Sequence, residues 1–170
     1  REYKMGFETT DPKELLKQAI VAEIDGQRFY NFLADKANNK DAKRKLEILA
    51  EDEVRHEASL RKMYKRFYNE EVGDLPEQGV GVLAEFFARN RDKEDLSERE
   101  YIDLAVQAEL AATEYYKQGA KIVPDEESKK IFEGIADEEH LHFEILQAER
   151  DSMAGNYYWF SFDENAPLED

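Results

Sequence analysis

Two short stretches, Glu53-Val54-Arg55-His56 and Glu139-His140-Leu141-His142, each carry a glutamate and a histidine three residues apart. On a helix that spacing puts both side chains on one face, one turn apart. A Glu-x-x-His pair from each of two helices, with one glutamate from each of two others, is the ligand set of a di-metal carboxylate bundle. The sequence supplies the two further glutamates as Glu23 and Glu109.

A shift of 86 residues superimposes the halves of the chain. Ala22-Glu23 falls on Ala108-Glu109, Phe29-Tyr30 on Tyr115-Tyr116, Glu53 and His56 on Glu139 and His142, and Leu60 on Leu146. In both halves the lone glutamate stands 30 residues before the Glu-x-x-His. Glutamate makes up 26 of 170 residues, so one standing three before a given histidine has a chance of about 0.15 (26/170). A single motif therefore means little, whereas two in register with two further glutamates are hard to obtain by chance. Such a repeat reads as two copies of a helical hairpin related by a pseudo-twofold axis.

The surrounding periodicity is helical throughout. Asp11-Pro12-Lys13-Glu14 is a helix start, with an N-cap Asp, Pro at the first helical position and Glu placed for a capping box. The first helix runs to about Ala37, and its apolar stripe of Leu16, Ile20, Tyr30 and Leu33 passes through Glu23. Asn38-Asn39-Lys40 breaks it in a turn short enough to imply an antiparallel hairpin. The second helix, Asp41 to Tyr68, directs Leu46, Leu49, Glu53, His56, Leu60 and Met63 inward at alternating spacings of three and four. Residues 69–97 form a long connection broken by Gly73, Pro76, Gly79 and Gly81, with a short helix expected over Val82 to Phe87. A connection of that length can cross the bundle and leave the second and third long helices parallel. Ser97-Glu98-Arg99-Glu100 is a capping box that opens the third helix, expected to reach Ile122. Val123-Pro124-Asp125 caps the fourth, which runs to about Met153 and points Phe132, Ile135, Glu139, His142 and Leu146 inward. The expected fold is all-α: a single four-helix domain over residues 1–154, two helical hairpins joined by a long crossover. An aromatic C-terminal tail follows over residues 155–170 and contains Tyr157, Tyr158, Trp159, Phe160 and Phe162.

Composition narrows the chemistry. With no Cys, the sequence has no disulfide, zinc-thiolate site, thiolate-held iron–sulfur cluster or Cys nucleophile. That fits a reducing compartment. No apolar run approaches a membrane span and no signal-peptide pattern opens the chain, so a cytoplasmic location is expected. A net charge of −16 disfavours nucleic acid and anionic membranes and favours cations.

The strongest argument for a metal site is energetic. Six ionisable side chains, Glu23, Glu53, His56, Glu109, Glu139 and His142, occupy positions that the periodicity assigns to the core. Burying even one unpaired carboxylate costs several kcal/mol unless it is protonated, paired or metal-bound. No Lys or Arg shares those positions, whereas two divalent cations would neutralise four carboxylates. His140 competes with His142 through Asp137, but it lies about 100° around the helix and reads as exposed. Glu114 and Glu138 are off the buried face and read as surface groups. Tyr30 and Tyr116 lie two turns beyond Glu23 and Glu109 on the same face, placed to pack in the core and to hydrogen-bond a ligand carboxylate. Gly26 and Ala112, one turn from those glutamates, suit either room for an exogenous ligand or simple close packing of the helices.

These residues resemble the ferritin-like di-iron superfamily, and its rubrerythrin-related branch most. The resemblance covers roughly residues 12–154 and rests on Glu23, Glu53-x-x-His56, Glu109, Glu139-x-x-His142, the paired aromatic echoes and the long second connection. It implies a ferritin-like four-helix bundle and two iron ions, with manganese suited to the same mixed N/O ligands. Carried over, Glu53 and Glu139 bridge the irons, His56 and Glu23 complete one shell, and His142 and Glu109 complete the other. Classical rubrerythrins also carry a rubredoxin-like domain with four Cys, and this chain has no Cys. They place a further Glu one turn after the third-helix ligand, serving ligand switching in peroxide reduction, where this chain has Ala112.

The resemblance implies a non-haem di-iron oxidoreductase reducing peroxide or dioxygen, as a homodimer supplied by an external electron-donor protein. An iron-oxidising storage protein is the first alternative, and an interaction bundle with structural metals is the second.

Overall fold

The structure, a computed structural model, describes residues 10–77 and 79–153. The aromatic tail expected over 155–170 lies outside the described residues. Four long helices, α1 (Pro12–Lys36), α2 (Lys40–Tyr68), α4 (Glu98–Gly119) and α5 (Glu126–Ser152), form the bundle. A short α3 (Val82–Ala88) and a 3-10 turn (Arg91–Lys93) interrupt the crossover.

Each long helix starts on a side chain that satisfies an otherwise orphaned N–H. Asp11 accepts from Lys13 N at 3.0 Å, Asn39 from Asp41 N at 2.8 Å, and Asp125 from Ser128 N at 2.7 Å. Ser97 and Glu100 complete the expected reciprocal box. The α2 helix stops at Asn69, whose φ of 52° is left-handed and suits Asn. The α4 helix ends at Gly119, three residues before the expected Ile122. From there the backbone tightens to i→i+3 bonds, Lys121 N to Gln118 O at 3.0 Å and Ile122 N to Gly119 O at 2.9 Å.

Polar contacts fix the helix directions. Lys13 meets Glu70 at 2.5 Å across the α1/α2 hairpin. Lys45 meets Glu149 at 3.8 Å near one end of the α2/α5 pair, and Arg66 meets Asp125 at 3.3 Å near the other, so these helices are antiparallel. Tyr30 of α1 reaches Glu109 of α4 while Tyr116 of α4 reaches Glu23 of α1, so that pair is antiparallel too. It follows that α2 and α4 are parallel, the arrangement that requires a crossover. In the crossover, Val82 and Phe86 are buried, and the Phe86 ring stands edge-on to Phe29 at 5.3 Å.

The core is two apolar layers with a polar layer between them. One gathers around Phe29, Leu33, Leu46, Phe86, Ile102 and Leu146. The other gathers around Leu16, Ile20, Leu60, Met63, Tyr116 and Phe132. The second is tightly filled at the α4/α5 turn, where a Cβ added to Gly119 would stand 2.4 Å from the buried Phe132 ring. Gly119→Ala is therefore expected to cost about 1–3 kcal/mol by overpacking. Urea unfolding would check this, and an unchanged midpoint would contradict the packing described.

Candidate metal centre

The polar layer is made by the six side chains the sequence places inward. Glu23, Glu53, His56, Glu109, Glu139 and His142 are each at most 5% exposed. The buried polar set among the described residues contains no Lys or Arg; its remaining members are Thr113 and Ser128. These six residues form two overlapping constellations. Glu23, Glu53, His56 and Glu139 offer one set of ligand atoms within 4.8 Å of one another, and Glu53, Glu109, Glu139 and His142 offer another. Glu53 and Glu139 belong to both. The two imidazoles lie nearly parallel with centroids 6.3 Å apart.

The inner atoms are arranged as a donor set for a cation. His56 Nδ1 lies 3.3 Å from Glu23 Oε2 and 3.1 Å from Glu139 Oε1. Neither approach is aligned as a hydrogen bond, so Glu23 Oε2 and His56 Nδ1 are buried without hydrogen-bond partners. Such orphaned atoms are costly in a dry core, and a shared cation satisfies them. The donors are carboxylate oxygens and imidazole nitrogens with no sulfur, which suits iron or manganese. The cluster therefore fits metal.

Without metal, protons carry the compensating charge. Burial, reinforced by the charges of Glu139 and Glu23, pushes the Glu53 carboxyl well above its ordinary range. Burial and the Glu139 charge raise Glu109 to about 8. Burial opposes charge on His56, yet the neighbouring carboxylates of Glu139 and Glu23 outweigh it and raise the imidazole to about 11. His142 is likewise raised to about 11 against its burial, by Glu109 and Glu139.

Tyr30 and Tyr116 serve the cluster crosswise. Tyr30 Oη donates to Glu109 Oε1, and Tyr116 Oη donates to Glu23 Oε1. Each phenol thus leaves its own helix and holds the lone glutamate of the other hairpin. Burial first, and the adjacent carboxylates second, push both phenols well above 10, so they remain donors.

Two residues escaped the sequence reading. The outer nitrogen of His56, Nε2, lies 3.0 Å from Glu138 Oε2, and that of His142 lies 3.0 Å from Asp52 Oδ2. Each histidine on one hairpin is thus oriented by a carboxylate from the other. Glu138 is partly exposed, as an off-face residue should be, but it is not merely a surface group. Burial opposes ionisation of both carboxyls, but their hydrogen bonds to histidine and to Arg55 hold them below the usual range. A signal was present: Asp52 and Glu138 each precede a shared glutamate and are themselves 86 residues apart. His140 and Glu114 are outside the cluster, paired with Glu144 at 3.5 Å and Lys117 at 3.6 Å.

The cluster opens towards the α1/α4 face through a cavity of about 50 Å³. Its walls are small, from Ala22, Gly26, Ala108 and Ala112, and Val80 and Val82 of the crossover border it. One water needs roughly 10–15 Å³ of such space, so a few water-sized molecules fit. Glycine at position 26 allows α1 to approach Glu53 closely, since a Cβ there would stand 3.0 Å from the Glu53 carboxylate.

Comparison with known proteins identifies the family and the fold. The Rubrerythrin family model matches residues 14–150. A hypothetical protein from Pyrococcus furiosus is similar in structure, with 31% identity, a TM-score of 0.72, and coverage of 87% of this chain and 93% of that one. A Thermotoga maritima protein, provisionally named a ferritin-like diiron-carboxylate protein, is 22% identical with a TM-score of 0.67, covering 84% of this chain and 95% of that one. No curated protein matches. No helix among the described residues is long and apolar enough to cross a membrane.

Proposed function

Because the chain belongs to the rubrerythrin family, we propose that it is a non-haem di-iron oxidoreductase that reduces hydrogen peroxide or dioxygen. The observation that carries this reading is the pair of buried constellations sharing Glu53 and Glu139 beneath a small cavity. Glu53 and Glu139, common to both constellations, would be shared between two irons, Glu23 with His56 would hold one, and Glu109 with His142 would hold the other. When bound, two ferrous ions supply one electron each, enough to convert H2O2 and two protons to two waters.

The chain's own residues do the rest. Four carboxylates offset the cations' charge, and the crossed Tyr30 and Tyr116 bonds keep Glu109 and Glu23 in place. Asp52 and Glu138 hold the imidazoles with Nδ1 turned inward. The small side chains of the α1/α4 wall admit an oxidant of few atoms and exclude a bulky organic substrate. Ala112 stands on that wall, where the classical rubrerythrin pattern would have a further Glu, so any ligand exchange here proceeds without a carboxylate at that position. Re-reduction draws on an external electron-donor protein, since this sequence has no Cys to hold a thiolate iron centre.

Stopped-flow mixing of the ferrous protein with H2O2, and separately with dioxygen, tests the reading. Oxidation of two Fe(II) per chain, faster than for Fe(II) free in buffer, is expected for at least one oxidant. Rates matching free Fe(II) with both would leave metals in a structural role. Light scattering separates the storage alternative: a homodimer is expected, and a large hollow assembly would favour storage.

A further inference from the structure

We propose that Arg55 is a positioning residue that locks both metal-facing histidines at once, by joining the two carboxylates that orient them. The inference rests on the metal-centre reading above. Arg55 Nη2 donates to Asp52 Oδ1 on its own helix and to Glu138 Oε2 of α5 at 3.1 Å. Asp52 uses its other oxygen, Oδ2, for His142 Nε2, and Glu138 Oε2 also takes His56 Nε2, each at 3.0 Å. One unbroken chain therefore runs His142–Asp52–Arg55–Glu138–His56, crossing between hairpins and touching both centres.

The chemistry of the chain is directional. A guanidinium only donates, and it stays charged at any working pH. Its two carboxylate partners are thereby kept as acceptors. An imidazole that keeps its Nε2 proton for such a donor bond presents its lone pair at Nδ1 once an incoming cation has displaced the proton there. In His56 and His142, Nδ1 is the atom turned to the shared carboxylates, at 3.1 Å from Glu139 Oε1 and 3.3 Å from Glu139 Oε2 respectively. Arg55 thus selects the ligating tautomer of two histidines without touching either ring.

The internal repeat makes the arrangement diagnostic. Asp52 and Glu138 are repeat equivalents, as are His56 and His142, but the equivalent of Arg55 is Leu141, which is 54% exposed. Two symmetric histidine–carboxylate pairs are served by one asymmetric cation. An ordinary surface ion pair would support its own half alone. Here, loss of the single cation reaches both halves, whereas loss of either carboxylate reaches one.

Anaerobic Co(II) titration of the full chain, followed by visible absorption, reads each binding step. Arg55→Leu, which installs the residue of the other repeat, is expected to weaken both steps by about tenfold or more. Asp52→Asn is expected to weaken the His142 centre alone, and Glu138→Gln the His56 centre alone. Because Arg55 is largely exposed, the metal-free variant is expected to melt within a few degrees of the metal-free parent. Wild-type affinity at both steps in Arg55→Leu, or weakening of one step only, would overturn the proposal. Failure of the unmodified protein to bind Co(II) at all would instead remove the metal reading beneath it.

Discussion

A Glu53→Ala/Glu139→Ala double variant is expected to lose both metals together, whereas Glu23→Ala or Glu109→Ala disables one centre and leaves the other occupied. The contrast follows from membership. Glu53 and Glu139 belong to both constellations, while Glu23 belongs with His56 and Glu109 with His142. Removing the shared pair leaves each ion with one carboxylate and one imidazole from the protein. That halves both ligand sets in one step, a change of several orders of magnitude in affinity rather than the tenfold effects of outlying residues. The metal-free double variant is expected to remain folded. Glu53 is held well above its ordinary range first by burial and then by Glu139 and Glu23, so it is an unfavourably buried polar group whose removal offsets part of the cost of the cavity left behind. Metal analysis after dialysis against iron, with circular dichroism to report folding, checks both points. Two metals per chain retained in the folded double variant would refute the shared role of these residues.

The parts of this architecture that were legible from sequence are those governed by one helix at a time. Glu23, Glu53, His56, Glu109, Glu139 and His142 fall on apolar stripes of period 3.6, and all six are buried together. The repeat added a second constraint, because a ligand on one hairpin required its twin on the other. What was not legible depends on how two helices lie across each other. Asp52 and Glu138 sit one residue, about 100°, off the buried stripe, and read alone each belongs to a solvated face. They become functional only because the α2/α5 crossing turns that shoulder of each helix towards the other's histidine. The crosswise reach of Tyr30 and Tyr116 is of the same kind, since spacing places each phenol near its own glutamate along the helix, and the antiparallel α1/α4 pairing gives it to the other's. The crossover's length was readable, but not that Val80 and Val82 would border the cavity, because no periodicity governs a loop. Gly79 carries part of that placement: a Cβ there would stand 2.5 Å from Asp25 Oδ2.

Stripping the metals is expected to lower the melting temperature substantially, and by more at pH 8.5 than at pH 6. A ligand at a thousandfold its Kd stabilises the folded state by about 4 kcal/mol. For a chain of this size that is roughly 8–16 °C per ion. The pH dependence has a definite sign. Glu109, raised to about 8, and His56 and His142, raised to about 11, all bind protons more tightly in the folded metal-free protein than when unfolded. The histidines' contribution is fully present below 6.5 and is lost as pH rises towards 11. That of Glu109 is fully present below 4.5 and is lost as pH rises through 8. The metal-free form therefore weakens across the whole interval from pH 6 to 8.5. Metal binding moves the opposite way, because cations must displace those protons and compete better as pH rises. Both effects widen the gap between loaded and stripped protein. The same ionisations set a proton count: near pH 7, Glu109, raised to about 8, and His56 and His142, raised to about 11, each hold a proton that the metals must displace, so loading should release up to three from these groups. Calorimetric titration in buffers of different ionisation enthalpy measures that number, and paired melts at the two pH values measure the gap. A gap that does not widen with pH, together with no proton release, would mean that the metals bind somewhere other than this buried layer.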